Sequence, residues 1–470
     1  VLVEDNEITP ILHFLEGTPA VQRASLPWLS VAHAWALAYT GQIERSETAL
    51  NQAEQQRERL SEKDRNRLVG HLGVVRAYNA WVRGEQQKPV EFAMDAALLL
   101  PEKEYAVRAL NVTTLGNAFT QYEPEPRAVE VLEHAVALAR QAQQSHVFMP
   151  AATALAYAYY RLGKFHQCYT TCMEAIELAE AHQRRRGQSL SAAASVYAEL
   201  SIVLCQWGEI EKAIQMARKG LTLSELWGQT DTIMLCLLAL FNSLSLANDT
   251  SAAQVVLQRA QKIAQSVSPW FSQVVDQTEM RACLGEGKLD QAACLAQKLA
   301  TKLPASLHAS LLVKQNRLDE ALAVLEPAIL HSRKRDEKPA LATLKQTLEL
   351  AEPENQVATF LREGAEMEKL LRLALVKSIH PDFVGKLLSA FEARRQRQMA
   401  PSSVAQQLVE PLTERELEVL RLLSQGFSDK EIAEKLVIAR ETVHKHLKNI
   451  YGKLDVHNRT AAVARARELD

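Results

Sequence analysis

One short motif constrains the fold of this chain more than any other feature. A turn residue (Gly, Asn or Arg) precedes an apolar residue, and a small residue follows three positions later. It reads Gly163-Lys164-Phe165 with Cys168, Gly208-Glu209-Ile210 with Ala213, Gly287-Lys288-Leu289 with Ala292, and Asn316-Arg317-Leu318 with Ala321. A weaker copy opens at Gly41-Gln42-Ile43 and continues through Ala49 and Ala53, and Gly84 marks a further, poorly matching turn. Better copies stand about forty residues apart, with one shorter step from Gly287 to Asn316, and two helices of about 15 residues plus their turns fill that period. Gly can end the first helix in a left-handed conformation. A small residue early in the second helix lets the pair approach closely.

Strand signals are nearly absent, and Ala, Leu, Gln and Glu recur with apolar residues at helical spacing. The expectation is an all-α protein: a helical-repeat solenoid over residues 1–350, whose concave face is a natural binding surface. The hydrophobic share of 47% excludes low-complexity disorder, and 17 Gly with 16 Pro exclude collagen-like classes. Six Cys without a regular framework fit a reduced, cytoplasmic protein. No run of about 18 apolar residues predicts a membrane span. No charged-then-apolar leader opens the chain, and the absent initiator Met suggests a true N-terminus upstream of Val1.

After about Ala351 the repeat is lost. Residues 351–393 read as a helical extension, beginning at Ala351-Glu352-Pro353-Glu354 and passing Leu361, Met367, Leu371, Ile379 and Phe383 to Phe391. Residues 394–407, with Arg394-Arg395-Gln396-Arg397-Gln398 and Pro401-Ser402-Ser403, read as a polar linker. A compact module occupies 408–470.

Three capped helices are legible in that module. Thr413 with Glu416 forms a capping box, opening a helix that buries Leu417, Leu420 and Leu423 before Gly426. Ser428 with Glu431 forms a second, ahead of Ile432, Ala433 and Leu436. After Val437-Ile438-Ala439 a longer helix runs from Arg440 to Leu454, and its Val443, Leu447, Ile450 and Leu454 make one narrow apolar stripe. With that stripe inward, Glu441, Lys445, Lys448 and Gly452 face outward, flanked by Thr442, His444 and Asn449. The chain carries a net charge of −2. Within the module, residues 408–439 net −3 and residues 440–470 net +3, so positive charge gathers on the last two helices. A short helix, a tight turn and a longer helix with a basic outer face make helix-turn-helix geometry.

Residues 411–420, 426–433 and 442–451 (Pro-Leu-Thr-Glu-Arg-Glu-Leu-Glu-Val-Leu, Gly-Phe-Ser-Asp-Lys-Glu-Ile-Ala and Thr-Val-His-Lys-His-Leu-Lys-Asn-Ile-Tyr) resemble the LuxR-type DNA-binding domain. The likeness continues through Asn458-Arg459-Thr460 to Ala462-Val463. It implies DNA contacts at Ser428, Lys430, Arg440, Thr442, His444, Lys445, Lys448 and Asn449. It also implies a fourth, dimerising helix bearing Asn458, Ala462, Val463 and Ala466. His444 stands where that family usually has Lys, Ala439 where Ser is common, and Asp455 where Gly is usual. Upstream, Trp28-Leu29-Ser30-Val31-Ala32-His33-Ala34-Trp35-Ala36-Leu37 with Gly41-Gln42-Ile43, together with Ala351-Glu352-Pro353-Glu354, resembles the large MalT-like regulators. Those combine an ATP-binding domain, a helical-repeat sensor and a terminal LuxR-type module.

Other constellations admit a plainer reading. Cys168 and Cys172, with His166 and His182 nearby, have helical spacing for a metal, yet Cys168 occupies the small-residue packing place, which favours a buried structural thiol. Tyr157, Tyr159, Tyr160 and Trp207 could line an inducer pocket or simply fill a core. His446 reads as a packing residue beside the stripe. Phosphate-loop, His-Glu-x-x-His and Gly-x-Ser-x-Gly motifs are missing, so no enzyme, metal or cofactor is expected in this chain, and ATP only through a domain upstream of Val1. The expected function is a DNA-binding transcriptional regulator, a homodimer on double-stranded DNA, with a small-molecule effector or partner protein on the repeat array and RNA polymerase as a further partner. A protein-interaction scaffold with secondary DNA binding is the alternative.

Overall fold

A computed structural model describes residues 8–19, 26–121, 126–187, 189–267, 269–299, 337–399, 414–424 and 427–436, together with 442, 443, 446, 447, 449 and 450. Every described element is helical. Among the described residues, helix Ile8–Gly17 is followed by seven antiparallel pairs: Pro27–Tyr39 with Ile43–Gln55, Glu62–Val82 with Lys88–Leu99, Tyr105–Gln121 with Pro126–Ala142, Ser145–Arg161 with Phe165–Arg186, Ala194–Gln206 with Ile210–Trp227, Thr230–Ala247 with Thr250–Val267, and Pro269–Glu286 with Leu289–Leu299.

The turns explain the motif. At Gly163 (φ +74°) the N–H donates to the Tyr160 carbonyl at 3.0 Å, and the Lys164 N–H donates to Tyr159 O at 2.9 Å. This is a Schellman closure, with both donors reaching back over a left-handed residue. Gly41, Gly84, Gly208 and Gly287 make the same two bonds. So does Asn248 (φ 61°), which is not among the copies above; Asn adopts the left-handed region through its short polar side chain. Small residues three positions into the next helix are all buried: Cys168, Ala213, Ala253 and Ala292. In the first copy that place belongs to Ser46 rather than to Ala49 or Ala53. Ser46 is fully buried, and its hydroxyl donates to Ala34 O at 2.9 Å. The copy at Asn316 lies outside the described residues.

The first helices of successive pairs touch one another in an unbroken row from Pro27–Tyr39 to Pro269–Glu286, whereas the second helices meet mainly their neighbours in sequence. The closer-packed row must lie on the inside of the curve, which makes the array a superhelix with an inner and an outer face. Thr230–Ala247 belongs to the inner row. It is long and apolar enough to cross a membrane by length and composition, but 56% of it is buried within the protein.

The segment after the array differs from expectation. Helix Glu337–Ala351 ends in a turn, so Glu352-Pro353-Glu354 closes a helix instead of opening one. The repeat signature persists there: Asn355 (φ 52°) and Ser378 (φ 54°) make the same paired closure ahead of Val357–Arg362 and Pro381–Met399. That last helix continues through residues 394–399, which the polar composition had assigned to a linker. Arg394 Nη1 donates to Leu361 O at 2.6 Å and Nη2 to Asn248 Oδ1 at 3.3 Å, so tertiary contacts hold this basic stretch helical. Leu361, Leu371, Phe383 and Phe391 form a second core, while Ala358 joins the core of the array itself.

Candidate nucleic-acid interface and inner groove

In the terminal module, helices Glu414–Ser424 and Asp429–Leu436 supply Val419, Leu420, Leu423, Ile432 and Ala433 to one core. Val443, Leu447 and Ile450 enter the same core as a single buried stripe, as the spacing predicts. Thr442 and Asn449, seven positions apart, are exposed, which places them on the opposite side of the helical path. His446 is half-buried beside the stripe, in keeping with a packing role.

The second capping box forms as read. Ser428 N–H and Oγ both donate to Glu431 Oε2 at 2.7 Å, and the Glu431 N–H donates back to Ser428 Oγ at 3.4 Å. The Ser428 hydroxyl and backbone N–H hold the Glu431 carboxyl below its ordinary range. Lys435 Nζ sits 4.5 Å above the Phe427 ring, folding the turn against the helix that follows. Of the anticipated contacts, Ser428, Thr442 and Asn449 are exposed. Lys430 lies in a described helix, but its side chain is outside the described residues. Arg440, His444, Lys445, Lys448, Asn458, Ala462, Val463, Ala466 and the Thr413 cap also lie outside them.

In the array, the Tyr159 hydroxyl donates to Glu133 Oε1 at 2.8 Å, and burial together with that carboxylate pushes its pKa up to about 12. Tyr160 OH accepts from Gln206 Nε2 at 2.9 Å. Trp207 lies against His166 and Tyr169, and its Nε1 donates to Glu354 O at 3.1 Å. Glu354 also takes the His166 N–H at 3.1 Å, so the segment after Ala351 is fastened to the array turns at Gly163 and Gly208. Cys168 and Cys172 are both buried, and no group of three potential metal ligands occurs among the described residues. A cavity of about 310 Å³ lies between Arg67, His71, Lys103, Glu104 and Gln144. Its Glu104 already bridges Arg67 and His71.

A helical-repeat superhelix followed by a helix-turn-helix core defines a repeat-bearing regulator of the helix-turn-helix class. The model of the MalT-like TPR region matches residues 70–328, and that of the bacterial regulatory proteins of the luxR family matches residues 410–466. The chain belongs to the MalT-like family of LuxR-type regulators. It is 25% identical to the HTH-type transcriptional regulator MalT of Vibrio parahaemolyticus and 22% identical to that of Yersinia pestis, in each case over 100% of this chain and 57% of the relative. The chain thus spans little more than half the length of these relatives. A solved Rap protein complexed with competence and sporulation factor superposes with a TM-score of 0.44 at 11% identity, covering 79% of this chain and 98% of that one.

Proposed function

We propose that this chain is the sensing and DNA-binding part of a cytoplasmic transcriptional regulator. The helix 440–454 enters the major groove of double-stranded DNA with Lys445 and Lys448. Thr442, Ser428 and the helix N-termini hold phosphates, and the helix from Asn458 pairs two subunits. The repeat array receives an effector or partner protein and governs whether the module can dimerise on DNA and engage RNA polymerase. No cofactor is assigned to the chain itself.

One observation carries the reading. Val443, Leu447 and Ile450 are buried on the two preceding helices while Thr442 and Asn449 face solvent, so a polar side of the third helix is left open to a duplex. The test is operator binding of Lys445→Ala with Lys448→Ala over a range of salt. Each lost phosphate contact lowers the slope of log affinity against log salt by about 1. Unchanged affinity and slope would refute the groove assignment.

A further inference from the structure

We propose that the turns at Gly163 and Gly208 form a docking surface whose occupant, residues 354–358 of this same chain, binds reversibly and reports the winding of the array to the helix Pro381–Met399. The regulatory use of that report rests on the control of the module by the array argued above; the dock stands on its own contacts.

Two paired closures, one repeat apart, build the surface. They set His166, at the start of Phe165–Arg186, beside Trp207, just past the end of Ala194–Gln206, with ring centroids 5.3 Å apart. Tyr169 packs on the same indole at 5.0 Å. Glu354 is held at both its backbone and its side chain. Trp207 Nε1 donates to the Glu354 carbonyl oxygen at 3.1 Å, and the His166 N–H donates to Glu354 Oε2 at 3.1 Å, with His166 Nδ1 at the same distance from that oxygen. A Cβ at Gly208 would stand 3.1 Å from Val357 Cγ1, so the bare turn gives Val357 its seat. Ala358 then enters the buried core of the array.

The occupant is held lightly. The His166 and Glu354 side chains are 60% and 29% exposed, where an ion pair in water contributes little. Among the described residues after 336, Ala358 alone joins the buried core of the array, while Leu348, Phe360, Leu371 and Phe383 close a separate one. A unit with its own core and a small, polar interface moves relative to its neighbour. What it grips makes that motion informative. Val357–Arg362 touches Ala194–Gln206 and Pro269–Glu286, and Pro381–Met399 touches Thr230–Ala247, so one brace spans three successive inner helices. A change in the small rotation between pairs alters all three contacts at once. Glu352 Oε2 lies 2.6 Å from His380 Nδ1, and Arg394 Nη2 donates to Asn248 Oδ1 at 3.3 Å, which ties the brace to the last helix before the DNA-binding module.

Hydrogen exchange of the full chain, followed by mass spectrometry without DNA, tests the dock. In the parent, the amides of Val357–Arg362 are expected to exchange ahead of those in Ser145–Arg161, as a sub-global opening requires. Trp207→Phe with Glu354→Ala keeps a ring but removes the indole donor and the carboxylate, and raises opening of that segment about tenfold. Exchange in Ser145–Arg161 stays at the parent rate, because the array core remains closed. Should the pair fail to fold, Glu354→Gln alone gives the same direction. Glu349→Ala, an exposed change on the neighbouring helix, leaves the segment at the parent rate. Tyr78→Phe removes a bond to Asp231, at the opposite end of Thr230–Ala247 from Asn248, and is expected to accelerate exchange in Val357–Arg362 as well. Equal acceleration throughout the array in the double variant overturns the dock, since the segment would then belong to one cooperative core. So does a segment as slow as Thr230–Ala247 and unmoved by the substitutions. A segment indifferent to Tyr78→Phe overturns the reporting role. The Lys445 and Lys448 titration decides the DNA reading separately.

Discussion

The Tyr78 hydroxyl donates to Asp231 Oδ2 at 3.0 Å across 153 positions of sequence, joining the second helical pair to the sixth. Gly84 packs on Trp270 and Gly41 on Thr230 and Val267, so the turns of the first two pairs abut later helices across the superhelix. Trp35, Tyr39 and Tyr78 cluster beside this contact, with centroids 5.0–5.7 Å apart. Burial raises Asp231 to about 6.

Tyr78→Phe keeps the ring packing and removes the donor. The expected loss is about 1–3 kcal/mol, because the carboxylate stays buried with one partner fewer. Urea denaturation at neutral pH measures it. Asp231 titrates higher in the folded chain than its ordinary 3.8, so its contribution is fullest below about 4 and is lost as pH rises through about 6. Asp231→Asn should flatten stability across that interval.

Glu199 behaves similarly at higher pH. Its carboxyl is buried without a partner at Oε2, and burial lifts its pKa from 4.5 to about 8. The folded state binds the extra proton, so the penalty of ionising this group grows as pH climbs from about 4.5 to 8. Glu199→Gln should therefore match the parent near pH 5 and exceed it clearly at pH 8.5. Equal stabilities at both values would show that the carboxylate finds a solvated position.

Gly116 admits no side chain. A Cβ there would stand 2.3 Å from Leu132 Cδ2, where Tyr105–Gln121 crosses Pro126–Ala142. Leu132 is fully buried and has nowhere to move. Gly116→Ala is expected to destabilise the array by about 1–3 kcal/mol despite its better helix propensity, and thermal unfolding would register it.

Ser428→Ala removes the two bonds that its hydroxyl makes with Glu431 and keeps the one from its backbone N–H. Loss of such a cap weakens the first turn by about 1 kcal/mol. Amide exchange at Glu431 and Ile432 should accelerate roughly fivefold, with the core residues Leu420 and Val443 unaffected at first.

Local chemistry was legible and distant chemistry was not. Gly163, Gly208 and Gly287 announced their turns because only a left-handed residue completes the paired closure. Asn248, Asn355 and Ser378 make the same bonds but carry no such signal, since Asn and Ser serve many other roles. Polar residues 394–399 read as linker, although contacts from Leu361 and Asn248 keep the helix going through Arg394. The Ser428 box and the stripe Val443-Leu447-Ile450 were plain, each being set within a few turns of helix.

The order of helices, their turns and the paired repeats follow from the amino acids alone, since hydrogen bonds spanning three to five residues and apolar spacing decide them. How far the superhelix winds is different. Each pair adds a small rotation, and the sum alone determines that Tyr78 meets Asp231 and that the segment around Glu354 meets the turns at Gly163 and Gly208. Such an accumulated angle is a property of packed side chains across the whole array, and no short stretch of sequence records it.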